Sequence, residues 1–145
     1  MIKLDPEDKK LWLDGLRNSD KATGCLKSQI GMCCLGVLAD KVLIPIKPEL
    51  VDWQEDSLYY FDKPHDYYET ELLGESLRLH FPKIEKVLSQ SINREFITDE
   101  ENEFLRNQSL LEYIEFSITL EDILIIFNDR ADTFESIIEF IERFL

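Results

Sequence analysis

The chain has 145 residues, 44% of them hydrophobic and 11% aromatic, which suits one domain with a true core and excludes wholesale disorder. No apolar run approaches the roughly 20 residues that span a bilayer, and Met1-Ile2-Lys3-Leu4-Asp5-Pro6 lacks the apolar stretch of a secretory signal, so a cytoplasmic location is expected. The net charge of −14 works against direct contact with nucleic acid or an anionic membrane, and favours a protein with a basic surface as partner or simple solubility.

In chain order, Asp5-Pro6 reads as an N-cap and first helical residue. Leu11, Trp12 and Leu16 follow near one face, and Asn18-Ser19-Asp20 ends the helix. A polar loop runs from Lys21 to Gly31, with a short extended piece around Cys25-Leu26-Lys27. Cys33 through Leu43 is apolar nearly all round, which predicts a central helix. Gly36 inside it costs about 1 kcal/mol relative to alanine, so close approach of another backbone is expected there, with Trp12 as candidate neighbour. Pro45 and Pro48 are expected to stop this helix.

The aromatic runs Tyr59-Tyr60-Phe61 and Tyr67-Tyr68 flank a Pro/Asp turn and predict a small β-hairpin. A helix from Thr70 to His80 follows, then one from Pro82 to about Ser91. Thr98-Asp99-Glu100-Glu101 matches a capping box. Thr119 caps a short helix, and Asp132 or Thr133 caps the last, with Phe134, Ile137, Ile138 and Ile141 on its buried face. No repeat or linker divides the chain. The expected fold is α-rich α+β: a single domain over residues 1–145, short helices around the central apolar helix, and one small β-hairpin.

Three residue groups carry chemical possibilities. Cys33 and Cys34 are adjacent, point about 100° apart on a helix, and read as small buried hydrophobes. Cys25, near Lys21 and Lys27, is the more reactive candidate. Neither His65 nor His80 has ligand spacing to a cysteine, so neither a metal nor a cofactor is expected. Asn128-Asp129 reads first as a helix-joining turn, with Asn128 in the left-handed conformation, and second as a metal ligand or base. Arg17, Lys21 and Lys27 form the one modest basic region, where an anionic ligand would bind, with Asp129 as a further ligand-binding candidate.

The negative charge is uneven. Residues 1–47 hold eight Lys/Arg and six Asp/Glu, whereas residues 48–145 hold eight and 24. Asp99, Glu100, Glu101 and Glu103 open one helix, and Glu135, Glu139 and Glu142 recur on the outer face of the last. Such a face is either merely solvated or an imitation of nucleic-acid phosphates that occupies a basic groove.

Trp12 with Leu16-Arg17-Asn18, the run Cys33-Cys34-Leu35-Gly36-Val37-Leu38, and Asn128-Asp129 followed by Phe134 together resemble a family of small uncharacterised proteins of tailed phages and prophages. The resemblance covers about residues 7–43 and 120–142. It implies a phage or mobile-element origin and no particular activity. The family pattern places a glycine soon after the Asn-Asp pair, where this chain has Arg130-Ala131-Asp132. Three functions stay open: an accessory protein that binds and inhibits a host factor through its acidic surface, a defence or nucleic-acid-binding protein being one candidate target; a protein that binds a small ligand or nucleotide signal; and a small enzyme. The first is the leading expectation.

Overall fold

The computed structural model describes residues 1–24, 26–48 and 79–145. Helix α1 (Pro6–Arg17) starts as its sequence dictates: Asp5 accepts a hydrogen bond from the Glu7 N–H and Pro6 occupies the first turn. A loop leads to α2 (Cys34–Leu38), which continues through a π-helical turn, Ala39–Leu43, into α3 (Ile44–Ile46). Helix α4 (Pro82–Leu88), strand β1 (Ser91–Asn93), α5 (Asp99–Asn107), β2 (Ser117–Thr119), α6 (Leu120–Arg130) and α7 (Glu135–Phe144) follow. The architecture is α-rich α+β.

The expected hairpin at Tyr59–Tyr68 and most of the Thr70–His80 helix lie outside the described residues; Leu79 and His80 are helical. The sheet that is described pairs β1 with β2 in antiparallel register, Ile92 opposite Ile118. These strands are three residues each and 23 residues apart in sequence, too short for a period-two pattern to stand out.

Several local expectations change. The helix does not stop at Pro45 but runs on to Ile46. In an α-helix the proline ring would clash with the carbonyl four residues earlier. Here the preceding turn is widened, with the Ile44 N–H donating to the Ala39 carbonyl five residues back, and the Lys47 N–H resumes ordinary bonding to Leu43. The helix capped by Thr119 is eleven residues long rather than short. Helix α7 has Phe134 at its N-cap position without a side-chain cap; Thr133 accepts from Glu135 N–H. The capping box at Thr98 and Glu101 is present in both of its hydrogen bonds.

One buried hydrophobic cluster runs from Leu4 to Leu145. Every residue of α2 is buried within it, as the all-round apolar pattern requires. Trp12 is fully buried and its indole N–H donates to the Cys34 carbonyl at 2.8 Å, which fixes α1 against the start of α2. At the other end Phe104, Phe127, Phe140 and Phe144 tie α5, α6 and α7 together through ring contacts at 5.4–6.3 Å.

Gly36 is the place where another backbone comes close, but the neighbour is the loop rather than Trp12. A Cβ at this position would lie 1.9 Å from the Leu26 carbonyl oxygen. The Leu26 carbonyl accepts from the Cys33 N–H, so it cannot retreat without losing that bond. Gly36→Ala is therefore expected to destabilise the fold by about 1–3 kcal/mol through overpacking, measured by denaturant melts. An unchanged midpoint would show that the loop lifts away freely.

Candidate functional site

The sequence patterns at both ends of the chain meet at one place, the loop between α1 and α2. Ala22 N–H donates to the Met32 carbonyl and Met32 N–H to the Asp20 carbonyl, so the two limbs of the loop lie side by side. The loop is closed from outside by α6. Asn128, 0% exposed, donates from Nδ2 to the Ala22 carbonyl and accepts at Oδ1 from the Cys34 N–H, both at 2.9 Å. The second bond satisfies one of the donors that an α-helix leaves open at its start. Asp129, one residue on, accepts at 2.9 Å from the N–H of Gly24, whose φ of 73° is the left-handed region that glycine favours.

Asn128 is thus not a left-handed helix terminator. It sits in the last turn of α6, its backbone is helical, and its side chain is the tie between three segments. For Asn128 the structural geometry differs from a helix-joining turn, because a buried amide can satisfy a donor and an acceptor at once.

The cysteines are part of the same packing. Cys33 is the N-cap of α2 and its sulfur accepts from Gly36 N–H at 3.4 Å. Cys34 is fully buried and its thiol donates to the Leu124 carbonyl at 3.7 Å. Burial, and then the neighbouring Cys33, push the Cys34 thiol well above its ordinary pKa, which holds it neutral and poorly nucleophilic. Cys25 and His65 lie outside the described residues. Among the described residues no group of three or more His, Cys, Asp or Glu side chains is placed to hold a metal.

The basic candidates are drawn to different partners. Arg17 pairs with Glu142 of α7 and, at 3.9 Å, with Asp14. Two residues singled out for rival roles, ligand binding and protein interaction, therefore neutralise each other. Lys21 is half-buried beside Cys34, Asp129, Cys33 and Asp132; burial lowers its ammonium pKa, and the carboxylates of Asp129 and Asp132 oppose that shift. Lys27 lies on a backbone bridge to Met32.

The acidic candidates are brought together. Glu135, Glu139 and Glu142 are all exposed on α7, as are Asp99, Glu100 and Glu103 on α5. Arg143 joins the two helices, donating to Glu139 at 3.3 Å and Glu100 at 3.4 Å. Its guanidinium also lies over the rings of Phe104 and Phe144, 5.4 and 5.0 Å from their centroids. A shallow depression of about 200 Å³ opens here, lined by Glu100, Glu103, Glu139 and Arg143 among others. Glu101 alone is turned inward, into the capping box. Two residues that carried no sequence signal are the exposed Phe96 and Phe116, single aromatics within polar turns.

Removing the tie has a defined expectation. Asn128→Leu leaves the Ala22 carbonyl and Cys34 N–H buried without partners, at about 1–3 kcal/mol for each group. A loss of about 2–5 kcal/mol in global stability, with early hydrogen exchange at residues 20–34, is expected by melts and exchange measurements. If only the loop exchanges faster and the melt is unchanged, the tie orders the loop without supporting the core.

A second expectation concerns pH. Glu121, half-buried at the start of α6, has its pKa raised from 4.5 to about 7, first by burial and then by Asp122 and Glu85. Its folded pKa exceeds the unfolded value, so the native state binds more protons and stability falls as pH rises from about 4.5 to about 7. The penalty is absent below that window and complete above it, on the order of 1–2 kcal/mol after allowance for partial exposure. Glu121→Gln should remove this slope in melts taken across the window; an identical slope in the variant would assign it to other groups.

No curated protein matches the chain, and no solved structure does. A family model described as a domain of unknown function (DUF8296) matches residues 4–145, which takes in α1, the clamped loop, α6 and the acidic helices alike, and the chain belongs to that family.

Proposed function

We propose that this chain is a phage or mobile-element accessory protein that binds a host protein with a basic surface and inhibits it, through the acidic face formed by α5 and α7. The observation that carries the reading is the junction at Arg143. It sets Glu100 of α5 beside Glu139 of α7, so that two acidic runs far apart in sequence become one surface. Asp99, Glu103 and Glu135, all exposed, add to the acidic character of these two helices, and residues 48–145 hold 24 Asp/Glu against eight Lys/Arg. An excess of carboxylates over the cations that join them gives the face a net negative field, which steers a basic partner toward it and speeds encounter.

The test begins with affinity capture from bacterial lysate at low and high salt, and continues with the purified salt-labile partner. Charge reversal at Glu100, Glu103 and Glu135 (each →Lys) should weaken binding at least about tenfold at low salt. The melting temperature should barely move, since exposed charges contribute about 0–1 kcal/mol each. Equal affinity of variant and parent would mean that the face only confers solubility.

A further inference from the structure

Phe96 and Phe116 stand at the same end of the β1–β2 ladder. Arg94 N–H donates to the Phe116 carbonyl at 3.2 Å, one step beyond the Asn93–Ser117 pair, and Phe96 N–H turns back onto the Asn93 carbonyl at 3.0 Å. Their side chains are 80% and 82% exposed, whereas Phe81, Phe104, Phe127, Phe134, Phe140 and Phe144 are all buried. The core therefore does not account for them. Exposed aromatics are the residue type that anchors interfaces, because they cover a large area at little entropic cost.

The surroundings say what such an anchor would meet. Exposed Glu95 and Glu115 are the chain neighbours of the rings and Glu112 lies in the short helical turn just before Phe116, while the nearby cations are Arg94 and Arg130, the latter engaged by Tyr113. Asp99 and Glu100 follow Phe96 within four residues, at the start of α5, so the aromatic end leads directly into the acidic helix. An acidic rim of this kind repels an anionic bilayer and a second copy of a chain with net charge −14. It complements an apolar stripe bordered by lysine or arginine.

We infer that Phe96 and Phe116 form an apolar anchor, rimmed by carboxylates, that docks a basic amphipathic helix of a protein partner. The inference rests on the proposal that the partner is basic, but it uses residues separate from the charged face, so the two can fail independently.

The probes are two synthetic peptides of identical composition. One places its leucines on a single helical face flanked by lysines, and the other scrambles them so that no stripe forms. Binding to the full chain is measured by calorimetry, with sedimentation of the chain alone as a parallel measurement. The parent protein is expected to bind the striped peptide at least about tenfold more tightly than the scrambled one, a difference of about 1.4 kcal/mol. Phe96→Ser with Phe116→Ser should erase that preference and leave scrambled-peptide affinity unchanged. Charge reversal at Glu100, Glu103 and Glu135 should weaken both peptides alike; if it weakens neither, the charged-face proposal fails while the anchor stands. Equal affinity of the parent for both peptides, or an undiminished preference in the double serine variant, overturns the anchor. So does a dimer of the parent chain that the double serine variant dissolves, since a second copy then covers the rings. Circular dichroism confirms that the variants fold, which side chains this exposed do not govern.

Discussion

The buried amide of Asn128 is the interaction on which the organisation of this chain depends. It holds a loop carbonyl at Ala22 and a helix-start N–H at Cys34 from a third element, α6. Both groups are buried with it, and an unmade hydrogen bond in a dry interior is costly. With the loop seated, its Leu26 carbonyl packs on the bare face of Gly36 and accepts from Cys33 N–H. Asp129 extends the same tie to Gly24 at the surface. The Asn-Asp pair, the double cysteine and the glycine of α2 are thus parts of one device that fixes a long polar loop on an apolar helix.

A second constraint sits at the opposite side of the core. Four phenylalanines from α5, α6 and α7 fill the space between those helices, with edge-to-face and tilted contacts that suit aromatic quadrupoles. Arg143 lies across two of the rings and reaches two carboxylates on different helices. Each exposed ion pair alone contributes little. Their value here is positional: the aromatic cluster sets the helix spacing, and the spacing places Glu100 next to Glu139. An acidic surface of defined shape is a by-product of core packing rather than of charge content.

These two regions are linked by α1 and by Arg17, which reaches from the end of α1 to Glu142. Helix α1 therefore touches both the clamped loop and the acidic helix α7. At a third place, the end of the small sheet, aromatic side chains are left outside the core beside further carboxylates. Carboxylates and exposed aromatics thus lie on adjoining elements of this chain, the arrangement on which the proposed protein-binding role rests.

The sequence by itself determined the local elements whose signals lie within a few residues. Asp5-Pro6 and Thr98 through Glu101 set helix starts because each cap bonds to backbone groups two or three residues away. The all-round apolar run at Cys33–Leu43 determined that its helix is central, since no solvated face is available to it. The α-rich α+β class and the membership of an uncharacterised family were legible for the same reason. Tertiary structure alone decided the rest. That Asn128 is a buried tie and not a turn, that Gly36 meets Leu26, and that Arg17 joins Glu142 depend on groups ten to 125 residues apart. Local pattern cannot report such pairings, because hydrogen-bond satisfaction and close packing are properties of the assembled interior. The joining of two distant acidic runs into one face, and the exposure of Phe96 and Phe116, were decided in the same way, by which side chains the core had room to enclose.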